Sequence, residues 1–137
     1  MRLAILPLLF APGLATAGEL VVRDAWIRSG PPGAPLAGYA TFENAGKEPL
    51  RIAGAESAAF ERVELHEMRM ADGMMRMRKL AGLDVAPGSP VAFEPGGDHL
   101  MLHGAQAALA PGDAVEIDFV DAAGTRTTVR FEVRPPR

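Results

Sequence analysis

The sequence of 137 residues contains no cysteine. Disulfide bonds are therefore excluded, and so are thiolate metal ligands, a thiol nucleophile and a redox-active dithiol. If the chain is exported, its stability must come from packing alone, because the usual covalent crosslink of exported proteins has no residues to form it.

Positive charge is also scarce. Lys and Arg number 14 against 17 Asp and Glu, which gives a formal net charge of −3 with neutral histidine. Such a balance provides neither a basic stripe for nucleic acid nor a polybasic patch for an anionic membrane, so we expect neither partner. Three catalytic motifs are missing as well: the Gly-x-Ser-x-Gly elbow, the His-Glu-x-x-His helix and a glycine-rich phosphate loop. We therefore expect a protein that is not an enzyme.

No apolar run is long enough to span a membrane, and the first seventeen residues have the pattern of a signal peptide. Arg2 gives a positive start, residues 3–14 form a short apolar run, and Ala15, Thr16 and Ala17 supply the small residues of a cleavage site. The pattern predicts export with cleavage after Ala17. Residues 18–137 then form one domain without stable membrane insertion.

The remaining chain has the pattern of short strands. Gly at 15 positions and Pro at 12 divide it into segments of strand length. Strands are predicted at 20–28, 37–44, 50–56, 60–70, 74–79, 91–94 and 99–103, followed by a hairpin of 115–119 with 128–133. Many short strands at close spacing predict an all-β fold, a Greek-key barrel or sandwich in a single domain.

Four candidate metal ligands have a distinctive spacing: His66, Met77, His99 and Met101. Thioether sulfur and neutral imidazole together suit Cu(I) and few other biological metals. By chance, roughly one chain in ten thousand of this composition would place such residues at these intervals. A Cu(I) site is therefore the leading hypothesis, although a single Met is more often a core filler or a contact surface than a ligand.

Strand alternation indicates where these side chains point. In the strand 60–70, Val63 and Leu65 belong to the core, so His66 and Met68 should lie on the other face and point away from it. In the strand 99–103, Leu100 and Leu102 belong to the core, so the outer face carries three further candidates: His99, Met101 and His103. His103 could supply an extra imidazole, but an isolated exposed histidine at a strand end is more simply a bystander.

Asp72-Gly73 predicts a two-residue type I′ turn between the methionine-rich strands. In that register Met68 faces Met77, and His66 becomes a diagonal neighbour of Met77 on the same face. Such neighbours lie about 7–8 Å apart at the backbone, within reach of one shared metal ion. The hairpin is expected to supply half of the site, with His99 and Met101 supplying the other half and Met68 as an accessory candidate.

The segments that carry these residues resemble the periplasmic copper chaperones of the PCuAC family. The resemblance lies in Leu65-His66-Glu67-Met68, in the run from Asp72 to Met77 and in the run from Gly96 to Leu102. It extends to Asp24-Ala25-Trp26, Gly38-Tyr39-Ala40 and Glu43-Asn44-Ala45-Gly46, and so covers nearly all of the mature chain.

The resemblance implies a cupredoxin-like β-barrel that holds one Cu(I) through His66, Met77, His99 and Met101 at an exposed site. It also implies a periplasmic location and delivery of the copper toward the CuA centre of cytochrome oxidase, either directly or through a thiol-bearing copper chaperone. Family members commonly carry an apolar residue or Met where this chain has His103, so an extra ligand for Cu(II) is an open alternative here.

The sequence excludes one further class of protein and leaves two others open. A blue-copper electron carrier needs a cysteine thiolate beside the metal and is excluded. A copper-dependent redox protein that uses Cu(II) with His103 remains an alternative, and so does a metal-free exported module whose methionines form a contact surface.

Overall fold

The computed structural model describes residues 18–136, and every regular element within this range is a β-strand. The proposed signal peptide lies outside the described residues. The ten strands are β1 (Leu20–Arg28), β2 (Leu36–Asn44), β3 (Leu50–Glu56), β4 (Phe60–Ala71), β5 (Met74–Lys79), β6 (Leu83–Val85), β7 (Val91–Phe93), β8 (His99–Ala105), β9 (Ala114–Asp121) and β10 (Arg126–Arg134). Between residues 18 and 136 there is no helix that is long and apolar enough to cross a membrane.

Seven of the strands close into a barrel. Their order is β4-β8-β2-β1-β10-β9-β3, and the pairing of Ala55 with Val63 joins β3 back to β4. The closure removes the free edges that an open sheet would present. Three short or projecting strands lie outside the ring: β5 extends from β4, β6 from β3 and β7 from β2. The prediction of an all-β barrel is confirmed.

The barrel interior is filled by side chains that alternate along the strands. Phe42, Phe119 and Phe131 are completely or almost completely buried there. The ring centroid of Phe119 is 5.2 Å from that of Phe42 and 6.1 Å from that of Phe131. Aliphatic residues such as Ile27 and Leu100 fill the space around them. Burial of this continuous apolar core supplies the stabilisation that no disulfide provides.

The strand predictions agree closely with the structure. Predicted and observed limits are identical for β1, β3 and β5, and differ by one or two residues at the ends of the other predicted strands. The sequence reading omitted β6, because its three residues are too few to show an alternating pattern.

The predicted turn between β4 and β5 has the expected conformation. Asp72 and Gly73 both have positive φ angles, of 52° and 75°, as a type I′ turn requires. Met68 pairs with Met77 and Met70 pairs with Met75, so the predicted register is confirmed. All six residues of β5 are exposed, because this strand projects beyond the barrel and pairs only with β4.

Asn44 is a buried polar residue that ties three segments together. Its side-chain oxygen accepts hydrogen bonds from the backbone nitrogens of Glu19 and Gly46, and its amide nitrogen donates to the carbonyl oxygens of Glu48 and Val85. A buried side chain with this many satisfied bonds fixes the loop after β2 and the position of β6.

We therefore predict that Asn44→Ala lowers the free energy of unfolding by about 2–4 kcal/mol, because four buried or partly buried backbone groups lose their partner. Chemical denaturation followed by circular dichroism measures the change. Ser89→Ala, on the exposed turn before β7, is the matched control and should have little effect. A loss below about 0.5 kcal/mol for Asn44→Ala would contradict this role, since that is the ordinary effect of a surface substitution.

Candidate metal centre

The candidate ligands lie on one outer face of three adjacent strands, in the order β5-β4-β8. His66 of β4 pairs with Lys79 of β5 on one side and with His99 of β8 on the other. Residues that pair across the strands form rows on this face. On one side of the His66 row, Glu64 lies opposite Met101; on the other side, Met68 lies opposite Met77. Successive rows on one face of a strand are separated by two residues, or roughly 7 Å.

His66 is on the predicted face, but its side chain is largely shielded from solvent, which the sequence did not predict. The residue is only 8% exposed. Neither ring nitrogen has a hydrogen-bond partner among the described residues, and both atoms are shielded from solvent. Burial lowers the pKa of His66, an effect that the nearby Glu64 carboxylate opposes. The ring is therefore neutral at pH 7 and offers an unused lone pair.

The rings of His66 and His99 lie side by side, with centroids 5.6 Å apart. His99 Nδ1 is 3.1 Å from the carbonyl oxygen of Gly97. Because a carbonyl oxygen only accepts hydrogen bonds, Nδ1 carries the proton when the ring is neutral, and Nε2 is left with its lone pair. This contact is the usual way in which a protein orients a histidine toward a metal ion.

Asp98 holds the beginning of β8 in place beside β4. Its carboxylate accepts a hydrogen bond of 3.0 Å from the backbone nitrogen of Met68. The loop before it is closed by hydrogen bonds from the backbone nitrogen of Gly97 to the carbonyl of Glu94 and from the nitrogen of Glu94 to the carbonyl of Asp98. These bonds determine where His99 enters the sheet.

The methionine candidates differ in their exposure. Met101 is half-buried between β4 and β2, where it pairs with Glu64 on one side and Ala37 on the other. Met77 is 51% exposed on β5, and Met68 opposite it is half-buried. The structure thus brings the two imidazoles together and places Met101 and Met77 in the rows on either side of them. Their assignment as ligands stays a prediction.

The sequence did not predict the observed contacts of two residues near this pair of histidines. Glu64 lies on the same face with its side chain 12% exposed, and its Oε1 atom is 2.8 Å from His103 Nε2 and 3.8 Å from His66 Nε2. His103 is therefore not the isolated exposed residue that the sequence favoured, since its side chain is only 25% exposed. Alternation indicated the shared face, but not that the side chains converge.

The Glu64 carboxylate is also contacted by two cations. Lys79 Nζ is 2.9 Å from Oε2, and Arg62 Nε is 3.2 Å from Oε1. The hydrogen bond with Lys79 is the main cause that lowers the pKa of Glu64 to about 2, against the opposing effect of burial. Glu64 is therefore ionised at any pH near neutrality.

This face fits a soft metal ion by its chemistry. The buried lone pair of His66, the Nε2 lone pair of neutral His99 and the thioethers in the adjacent rows are uncharged donors of the kind that a soft metal ion prefers. A buried histidine with two unpaired nitrogens is otherwise costly, because each desolvated polar group without a partner costs about 1–3 kcal/mol.

Comparison with known proteins identifies the class to which the chain belongs. Residues 20–133 match the family described as "Putative lipoprotein LpqE-like", and the chain is a member of this LpqE-like family. It is also similar to the "Putative lipoprotein Lxx21020" of Leifsonia xyli subsp. xyli (strain CTCB07), with 28% identity over 90% of this chain and 74% of that protein. Both descriptions are of lipoproteins and so support export.

Two of the solved structures with a similar fold contain bound copper. The copper-bound PCuAC domain from PmoF2 superposes with a TM-score of 0.72 at 24% identity, over 87% of this chain and 95% of that domain. The solution structure of Cu(I)-DR1885 from Deinococcus radiodurans gives a TM-score of 0.69 at 25% identity, over 90% of this chain and 83% of that protein. The barrel is accordingly of the cupredoxin-like class, as the sequence resemblance predicted.

This chain lacks the residue that carries the lipid in a cysteine-linked lipoprotein. None of its 137 residues is cysteine, so a lipid carried on a cysteine thiol has no attachment point within this sequence.

We predict that neutral His99 in the metal-free protein is the tautomer with the proton on Nδ1, because the Gly97 carbonyl accepts from that atom. Long-range ¹H–¹⁵N NMR correlations of the imidazole ring distinguish the two tautomers. His103 provides an internal comparison, since no backbone carbonyl bond to its ring is seen among the described residues. A proton found on Nε2 of His99 would contradict the proposed orientation of its lone pair.

Proposed function

We propose that this protein is an exported Cu(I) chaperone that holds one copper ion through His66, His99, Met77 and Met101 and passes it to another protein. The observation that carries the proposal is the buried His66 ring, which has two unpaired nitrogens and lies 5.6 Å from the ring of His99. A metal ion that both rings ligate would use the lone pair that the barrel otherwise leaves without a partner.

The donor types favour the reduced ion. Two thioethers and two neutral imidazoles are soft or borderline ligands, and no thiolate is available anywhere in the sequence. The Cu(I)-bound structure of DR1885, at 25% identity, supports the same cargo for this chain. Copper is the protein's cargo in this proposal, so no catalytic residue is assigned.

The different exposure of the ligands suits a carrier. The histidines are held by β4 and β8 of the closed barrel, whereas Met77 is 51% exposed on the projecting β5. An incoming ligand can replace an exposed thioether before the imidazoles release the metal. Because thiolate binds Cu(I) more strongly than thioether does, transfer to a cysteine-bearing acceptor is favoured.

The proposed acceptor is the CuA subunit of cytochrome oxidase or a thiol-bearing copper chaperone, and the proposed location is the periplasm. Both proposals rest on the resemblance to the PCuAC family. A metal-free interaction module would be consistent with exposed Met70, Met74 and Met75, but it gives no reason for burying His66 without a hydrogen bond.

We predict that His66→Ala and Met101→Ala each lower the Cu(I) affinity at least tenfold, a change of about 1.4 kcal/mol or more. An anaerobic competition titration against a chromophoric Cu(I) chelator measures the effect. Met74→Ala is the matched control, because Met74 is 62% exposed on the same hairpin as Met77 but lies on its opposite face.

The expected pattern is a large loss for the two ligand variants and a change below about threefold for the control, with one Cu(I) bound per chain. Equal losses in all three variants would mean diffuse binding by exposed methionines. Absence of stoichiometric Cu(I) uptake by the unsubstituted protein would contradict the proposed function itself.

A second prediction tests the hairpin without changing a ligand. Gly73 has a φ of 75°, which a β-branched residue adopts only with strain, so Gly73→Val should disturb the turn that places Met77 beside His66. We expect Cu(I) affinity to fall severalfold while the thermal unfolding temperature changes little, because the hairpin projects from the barrel. Gly73→Asn, which tolerates positive φ, should restore binding. Unchanged affinity in Gly73→Val would show that the hairpin does not position a ligand.

A further inference from the structure

A second set of metal-binding side chains converges next to the proposed Cu(I) site. One carboxylate oxygen of Glu64 and one nitrogen from each of His66 and His103 all lie within 4.8 Å of one another. Glu64 and Met101 form the row between the two histidines, so both imidazole rings lean toward that row. The cluster uses two residues, Glu64 and His103, that the proposed Cu(I) site does not need.

The Glu64 carboxylate of this cluster is paired with Lys79 and Arg62, but the imidazole nitrogens that face it have no hydrogen bond. His103 Nε2 is only 2.8 Å from Glu64 Oε1, yet the two atoms lack the alignment of a hydrogen bond. His66 Nε2 is 3.8 Å from the same oxygen and has no hydrogen-bond partner among the described residues. Two imidazole nitrogens that are shielded from solvent therefore face one carboxylate oxygen.

These distances are compatible with coordination of a transition-metal ion. His nitrogens and carboxylate oxygens bind such ions at about 2.0–2.2 Å, so two donors on one ion lie at most about 4.4 Å apart. For donors about 2.05 Å from the ion, separations of 2.8 and 3.8 Å correspond to angles of about 85° and 135°. Shifts of a few tenths of an ångström bring all three donors within reach.

We propose that Glu64, His66 and His103 form a second metal centre, which takes copper in its oxidised form, Cu(II). An anionic oxygen and two imidazoles are the donors that Cu(II) prefers, whereas Cu(I) prefers the thioethers on the other side of His66. The two centres share His66, so one molecule holds Cu(I) or Cu(II) but not both. The statement that Cu(I) and Cu(II) exclude each other rests on the proposed Cu(I) function. The Cu(II) centre itself does not depend on that function.

The cations around Glu64 leave room for this ion. Lys79 contacts Oε2, the carboxylate oxygen away from the histidines, and its side chain is 63% exposed. Arg62 contacts Oε1, but its side chain is 58% exposed and can move into solvent. Glu64 itself is 12% exposed and remains in place as a ligand.

The test uses the full chain and compares Cu(II) with Cu(I) binding in matched variants. Glu64→Gln and His103→Phe should each lower Cu(II) affinity at least tenfold and leave Cu(I) affinity within about threefold. Met77→Ala should show the reverse selectivity, and His66→Ala should weaken both. Electron paramagnetic resonance of the Cu(II) form should show coupling to two nitrogens, reduced to one in His103→Phe.

Glu67→Gln is the matched control for charge. Glu67 is on the same strand and forms an ion pair with Arg78, but it lies on the opposite face and should affect neither oxidation state. If Glu64→Gln does not fold, His103→Phe and the resonance spectrum still decide the question.

Unchanged Cu(II) affinity in both Glu64→Gln and His103→Phe, or equal losses in Glu67→Gln, would overturn this inference. The two proposals fail separately. Loss of Cu(I) binding with retained two-nitrogen Cu(II) coordination would remove only the proposed function, and the opposite result would remove only the second centre.

Discussion

The barrel buries the imidazole of His66 without giving either nitrogen a hydrogen bond, and the proposed metal site depends on that constraint. Desolvation of an unpaired polar group opposes folding, and the same burial keeps the ring neutral. In the proposed site, a metal ion would offset this cost, because coordination would use the lone pair that no protein group occupies. The position of His66 between β5 and β8 then determines which other side chains can reach the same ion.

The proposed histidine ligands and the exposed proposed ligand Met77 lie in different parts of the fold. His66 and His99 are carried by paired strands of the closed barrel, and the Gly97 carbonyl and the Asp98 carboxylate fix the start of β8. Met77 is on a strand whose residues are all exposed. A carrier needs both properties, because a preformed pair of imidazoles gives affinity and an exposed thioether gives an acceptor a place to begin exchange.

Much of this arrangement could be predicted from the sequence, because it follows from local rules. Asp72-Gly73 determined the turn and therefore the pairing of Met68 with Met77, and alternation placed His66, His99 and His103 on the outer face. The burial of His66 and its approach to Glu64 could not be predicted in this way. They depend on how far β4 slides against β8, a pairing between strands distant in sequence that alternation does not determine.

X-ray absorption spectroscopy of the protein loaded anaerobically with one equivalent of Cu(I) tests the central claim most directly. The account predicts a first shell of two sulfur and two nitrogen neighbours, with the multiple scattering that imidazole rings produce, and the loss of one nitrogen in His66→Ala. A shell of nitrogen and oxygen alone, or a shell of sulfur that is unaffected by His66→Ala, would contradict it.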